Sequence, residues 1–186
     1  MKLFNHTINT KENSSLKTLV LSDLHIYDFN DIVKIRVVLE KIEKGTYDAI
    51  FIVGDILDST NILKDSFNTS LLLEFISFLG YMAPTYIVYA SHDIGYFSKK
   101  QGWILDEVTF KDKFLNNIIN RHGINVLCNE TKEIKNGYTV TGINLPIFHD
   151  TTCEEISKML EMSNFSFLNE LDENKPNSYI LIKTFG

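Results

Sequence analysis

Three short polar segments of this sequence contain the side chains that most readily bind transition-metal ions. They are Ser22-Asp23-Leu24-His25, Gly54-Asp55-Ile56-Leu57-Asp58 and Ala90-Ser91-His92-Asp93. Asp23 and His25 are two residues apart, and in extended backbone that spacing points both side chains to the same side. A carboxylate oxygen beside an imidazole nitrogen suits Mn, Fe, Zn or Ni better than Ca. We therefore predict that Asp23 and His25 bind one divalent transition ion.

The other two segments supply the remaining parts of a hydrolytic site. Asp55 follows a glycine that permits close backbone approach, so its carboxylate is placed to bridge two ions. Two ions about 3.5–4 Å apart bind phosphoryl oxygens and stabilise an in-line displacement. His92 would then stand near the scissile phosphate, where it stabilises charge or protonates the leaving oxygen, with Asp93 orienting it. Asp58 is expected to contact the ligating side chains and not the ions, or to cap the turn that follows it.

Each segment also has an ordinary structural explanation, because patterns such as Asp-x-His and Gly-Asp-x-x-Asp arise by chance in a chain of 186 residues. Their order, with one segment after each of three predicted strands, favours the metal site. His6, His122 and His149 have no comparable setting, and His122 is expected at a helix C-terminus. Trp103 and its aromatic neighbours are expected in the core, with a pocket wall as the alternative.

The first half of the chain alternates short apolar runs with segments of helical period, which is typical of an α/β domain. We predict strands at 16–22, 49–53 and 85–89, a helix from the N-cap Asp31 to Gly45, and a helix at 70–79 closed by Gly80. Asp28 is expected in the loop before the first helix. Strands joined by helices pair in parallel. The three polar segments then meet at the carboxyl ends of the strands, where α/β sheets bind ligands.

The second half of the chain introduces antiparallel pairing and hence a mixed sheet. We predict, in chain order, a helix from Thr109 to about His122, a strand at 125–127, a type I′ hairpin at Asn136-Gly137 between strands 131–134 and 138–143, a helix from Thr152, and a strand at 178–182. The sequence stops four residues later. The predicted organisation is a polar tail, 1–15, and one α/β domain, 16–186, that is truncated at its C-terminus.

Composition and charge restrict the class of protein. The net charge of -6 and the scattered Lys and Arg give no electrostatic basis for binding nucleic acid, whereas small phosphorylated substrates remain compatible. Cys128 and Cys153 lack the number and spacing of a disulfide framework, which predicts thiols in a reducing compartment. Without a signal-peptide run or a long apolar segment, we expect a cytoplasmic protein with no membrane span. The oligomeric state stays open.

The series Asp-x-His, Gly-Asp-x-x-Asp and a segment similar to Gly-Asn-His-Asp resembles the opening motifs of the calcineurin-like metallophosphoesterases, especially their small bacterial branch. The resemblance extends from Leu16 over nearly the whole chain. It implies a two-sheet αββα sandwich and a metal-dependent hydrolase of phosphate mono- or diesters that uses up to two ions. By position it implies one ion on Asp23 and His25, a bridge at Asp55, a ligand of the second ion at Ser91, and catalytic assistance from His92.

Two departures from the family pattern lower the expected number of ions. Ser91 stands in place of the Asn and Ala90 in place of the Gly, and a hydroxyl is a poorer ligand than an amide carbonyl. The later Ser-His strand end and Gly-His-x-His loop do not occur in the sequence. We therefore expect at most one loosely bound ion and weak activity. The alternatives are a non-catalytic binding module with the phosphoesterase fold and, less favoured without a glycine-rich phosphate loop, a nucleotide-binding domain.

Overall fold

The computed structural model describes residues 16–41, 47–135 and 138–143, together with the backbone of 178–182. In chain order its strands are β1 (Thr18–Leu21), β2 (Ala49–Val53), β3 (Thr85–Val88), β4 (Gly95–Ser98), β5 (Gly102–Leu105), β6 (Ile124–Val126), β7 (Glu130–Glu133), β8 (Thr139–Ile143) and β9 (Ser178–Ile182). Its α-helices are α1 (Phe29–Leu39), α2 (Ser66–Met82), α3 (Glu107–Phe110) and α4 (Asn116–Ile118), with a π-helical turn, Lys111–Leu115, between the last two. The described residues also form 3₁₀ helices at Thr60–Lys64 and His92–Ile94.

A four-stranded parallel sheet, in the order β1-β2-β3-β6, carries the three polar segments. Its strand β2 is buried on both faces, as expected for a strand between two layers. Ile50 and Ile52 belong to one apolar cluster with residues of α1 and α2, whereas Ala49 and Phe51 belong to a second cluster with Val140 of β8. The predicted strands β1, β2 and β3, their parallel pairing and the intervening helices are thus confirmed.

A second sheet, β7-β8-β9, packs on the face of the first sheet that the helices leave uncovered. Strands β7 and β8 are antiparallel, which confirms the pairing of the predicted hairpin, although residues 136 and 137 lie outside the described residues. Strand β9 pairs in parallel with β8 and confirms the strand predicted at 178–182. The mixed pairing lies in this second sheet, whereas the described strands of the first sheet are all parallel. The predicted mixed α/β sandwich is thus confirmed.

The ends of α1 and α2 differ from the prediction for identifiable reasons. Asp28, rather than Asp31, is the N-cap of α1, and its carboxylate accepts hydrogen bonds from two backbone amides of the first turn. Helix α2 continues past Gly80 to Met82. A Cβ at Gly80 would lie 2.3 Å from the His122 carbonyl oxygen, so this glycine permits close packing and does not end the helix.

The helix predicted from Thr109 to His122 begins earlier and ends sooner. Asp106 caps α3 by accepting a hydrogen bond from the Thr109 amide at 3.4 Å, and the last helical residue is Ile118. Strands β4 and β5 form an antiparallel hairpin that was not predicted.

Among the described helices, none combines the length and apolar character needed to cross a membrane. The predictions for the tail 1–15, Gly45, the helix from Thr152 and Cys153 lie outside the described residues.

Candidate metal centre

The loops after β1 and β2 run side by side and hold their polar residues in an uncommon backbone conformation. Asp23, His25 and Asp55 have positive φ angles of 54°, 41° and 49°. Hydrogen bonds between the loops maintain this geometry, from His25 N to Asp55 O at 3.0 Å and from Ile26 N to Ile56 O at 2.9 Å. Asp23 and His25 therefore do not lie in the extended backbone that the prediction assumed. The alignment of the two loops, and not a strand-like alternation, brings their side chains together.

Asp23, His25 and Asp55 form the first group of candidate ligands. One ligand atom of each lies within 4.8 Å of the ligand atoms of the other two. Asp55 is buried, at 7% exposure, whereas Asp23 is exposed, so the group opens to solvent on one side. Two ionised carboxylates this close repel each other unless a cation lies between them. With the imidazole, they make a donor set that fits a divalent transition ion.

A second group, His25, Asp58 and His92, adjoins the first and shares His25 with it. Asp58 Oδ1 lies 3.9 Å from His25 Nδ1, and the two histidine rings meet edge to face with their centroids 4.7 Å apart. The structure thus places Asp23, His25, Asp55 and His92 in two adjoining groups, and their roles as ligands and catalyst stay predictions. It also places Asp58 among the candidate ligands, closer than the supporting or capping position expected for it. The sequence signal was its place as the second Asp of Gly-Asp-x-x-Asp.

The His92 ring is held in one tautomer by the backbone. Its Nδ1 lies 2.7 Å from the carbonyl oxygen of Asp58. Because a carbonyl oxygen only accepts hydrogen bonds, Nδ1 carries the proton. The other ring nitrogen, Nε2, is then the atom with which His92 binds an ion or exchanges a proton.

Asp93 is fully buried and connects the loops that carry the two groups. Its Oδ1 accepts a hydrogen bond from the Leu57 amide at 2.9 Å, and its Oδ2 accepts one from the Ala90 amide at 2.8 Å. Burial raises the pKa of Asp93 to about 7; these hydrogen bonds oppose the rise, and the charge of Asp55 adds to it. Within the described residues no hydrogen bond joins Asp93 to the His92 ring. Any orienting effect on His92 therefore runs through the loop backbone.

Trp103 of β5 approaches the centre from the unpredicted hairpin. Its ring meets the His92 ring with the centroids 5.0 Å apart, so it packs against a side chain of the candidate centre. Ser91 is 8% exposed and precedes the 3₁₀ helix that contains His92; a ligand role for its hydroxyl stays a prediction. The His122 ring packs near Tyr81, at 5.6 Å between centroids. His6 and His149 lie outside the described residues.

Asp and His side chains thus meet at the carboxyl ends of the parallel strands, in a fold that combines two packed sheets with helices. The family model described as calcineurin-like phosphoesterase matches residues 16–183, and the chain belongs to this family. One solved crystal structure is similar over 91% of this chain and 70% of its own, at 15% sequence identity and a TM-score of 0.47. A search of curated proteins finds no significant match. The family implies metal-dependent hydrolysis of phosphate esters in general.

Proposed function

We propose that this chain hydrolyses small phosphate mono- or diesters with a divalent transition ion, Mn, Fe, Zn or Ni, bound at Asp23, His25 and Asp55. The observation that carries the proposal is the convergence of two ligand groups through His25 at the carboxyl edge of the parallel sheet. The ion, when bound, supplies a Lewis acid that polarises the phosphoryl group. The carboxylates of Asp23 and Asp55 would hold the ion. Because Asp55 is buried, its carboxylate lies where water competes least for the ion.

His92 has the second role in the proposed reaction. Because its Nδ1 proton is committed to the Asp58 carbonyl, Nε2 either accepts a hydrogen bond or, in the imidazolium, donates a proton to the leaving oxygen. The Trp103 ring beside it limits the positions that the imidazole adopts. Asp93 joins the loops after β2 and β3 through its hydrogen bonds to the Leu57 and Ala90 amides. It therefore contributes to catalysis by positioning these loops.

We further propose that the chain binds at most one ion and turns over slowly. The two ligand groups share His25, which supports one ion rather than two. At the family's second-ion position the chain has Ser91, whose hydroxyl is a weak ligand. We also propose the cytoplasmic location expected from the sequence, because Cys128 and Cys153 lack the number and spacing of a disulfide framework.

Ion binding and turnover test the proposal separately. Metal-free protein is dialysed against Mn or Zn and its metal content measured: we expect at most one ion per chain, lost in His25→Ala and kept in the control His122→Ala. Two tightly held ions would show that the count is wrong. Full retention of the ion in His25→Ala would remove the proposed centre altogether.

Turnover is measured on an aryl phosphate and a bis-aryl phosphate with added Mn. We expect weak, Mn-dependent hydrolysis that falls by about 100-fold or to background in Asp55→Asn and in His92→Ala. The exposed Asp112→Asn serves as the control and should match the wild type. Equal rates in the wild type and both site variants would favour the alternative, a non-catalytic phosphoesterase-fold binding module.

A further inference from the structure

A cavity of about 210 Å³ opens beside the candidate metal centre, between the loops that follow β1 and β2. Asp58 lines this cavity and also belongs to the group with His25 and His92. A phosphate ester bound at the centre therefore has its alcohol part within reach of the cavity. Since a water molecule takes up roughly 30 Å³ of the liquid, the space fits a small organic group and not a polymer.

The wall of this cavity is rich in negative charge. Asp28, Asp58 and Asp65 line it, and none of its described lining residues is Lys, Arg or His. One ammonium group contacts the wall: Lys64 Nζ donates to Asn61 Oδ1 at 2.8 Å and lies 4.4 Å from the ring centroid of Tyr96. The three carboxylates outnumber this single ammonium group. A second phosphate or a carboxylate in the cavity would be repelled, whereas a cation would be attracted.

Two further lining residues match a cationic donor. Asn68 Oδ1 is buried and accepts no hydrogen bond within the described part of the chain. A buried acceptor without a donor is unfavourable, and a ligand N–H group that reached Asn68 Oδ1 from the cavity would satisfy it. Tyr27, 68% exposed, is the aromatic residue of the wall, and aromatic rings attract ammonium groups.

We propose that this cavity binds the ammonium group of the leaving alcohol, so that the preferred substrates are phosphate esters of small amino alcohols. The inference rests on the proposed function. In the reaction, a water molecule gives up a proton as its oxygen bonds to phosphorus, the bond between phosphorus and the ester oxygen breaks, and the leaving oxygen takes a proton from the His92 imidazolium. The amino alcohol leaves with its ammonium group unchanged.

The chain offers a variant that removes charge from the cavity and keeps the fold. Asp28 and Asp65 are the N-caps of α1 and α2, with Asp65 Oδ1 accepting from the Asn68 amide at 2.7 Å. Asparagine caps helices about as well as aspartate, so the double variant Asp28→Asn/Asp65→Asn loses two charges and retains both caps. Glu130→Gln/Glu133→Gln, on exposed positions of β7, changes the net charge equally and serves as the control.

The kinetic test compares kcat/KM for 2-aminoethyl phosphate with that for ethyl phosphate, which lacks the ammonium group. We expect the wild type and the control to prefer the amino ester by about tenfold, and the cavity variant to lose most of that preference. If the ratio of kcat/KM for the two substrates is the same in the wild type and the cavity variant, the proposal is overturned.

A binding test separates this inference from the proposed function. Ethanolamine is titrated into metal-free protein and followed by calorimetry, with ethanol as the uncharged comparison. We expect ethanolamine to bind, ethanol not to bind, and the cavity variant to bind ethanolamine about tenfold more weakly. Binding of ethanolamine without any hydrolysis of aryl phosphate would reject the proposed function and support the cavity. Hydrolysis of aryl phosphate without binding of ethanolamine would reject the proposed ammonium site and leave the proposed function standing.

Discussion

Replacing Asp93 by Asn should change how the stability of the protein depends on pH. Burial raises the pKa of Asp93 to about 7 from its ordinary value of 3.8. A carboxyl group whose pKa is higher in the folded than in the unfolded state favours folding in its protonated form. Its contribution is fully present below pH 3.8 and is lost as the pH rises through about 7.

The size of the effect follows from the two pKa values. Each pKa unit corresponds to 1.36 kcal/mol, so between pH 5 and pH 8 the titration of Asp93 should lower the free energy of unfolding by about 3 kcal/mol. Asp93→Asn cannot titrate. The free energy of unfolding of the wild type minus that of the variant should therefore fall by about 3 kcal/mol over this range.

Urea denaturation in the presence of a chelator measures this difference at pH 5 and pH 8. The single tryptophan, Trp103, reports unfolding from the immediate neighbourhood, since its ring lies 5.0 Å from that of His92. The exposed Asp112→Asn is the control, and its pH dependence should parallel that of the wild type. A difference between the wild type and Asp93→Asn that is the same at both pH values would refute the reasoning. It would mean that the two backbone hydrogen bonds outweigh burial and keep Asp93 ionised.

Gly80→Ala should destabilise the protein by about 1–3 kcal/mol, because the new Cβ would lie 2.3 Å from the His122 carbonyl oxygen and overpacking exceeds the gain in helix propensity. An increased urea midpoint would contradict this close contact. Asp48→Asn should lower the free energy of unfolding by under about 1 kcal/mol, and more at pH 7 than at pH 3. Hydrogen bonds from Lys135 Nζ at 2.7 Å and Lys17 N at 3.0 Å lower the pKa of Asp48, so its contribution is lost as the pH falls. If the loss of unfolding free energy in Asp48→Asn is the same at pH 3 and pH 7 in the same urea measurements, this prediction is wrong.

The parallel sheet and the place of the site were predictable because both depend on local patterns. Apolar runs predicted β1, β2 and β3, and the polar residues after each run predicted where the candidate ligands lie. The hairpin of β4 and β5 was missed because no short turn sequence of the Asn-Gly type marks it. Gly102, with a φ of 73°, was the signal available there.

Other features of the structure depend on distant parts of the chain. Gly80 was predicted to end a helix because glycine commonly follows the last helical residue. Its actual role is to allow close contact with the backbone of His122, more than forty residues away in the sequence. The same holds for the contact of Trp103 with His92 and for Asp58, whose place beside two imidazoles follows from the pairing of the loops. Spacing within a motif does not contain that information.

The positive φ angles at Asp23, His25 and Asp55 make these positions the ones where thermostability and chemistry conflict. A left-handed conformation costs a residue with a Cβ roughly 1–2 kcal/mol, and glycine would remove that cost along with the ligand. A library of variants selected for heat resistance alone would accumulate glycine at these three positions. Such selection would remove the ligands of the proposed centre while improving the fold, so any stabilisation of this protein has to hold these residues fixed.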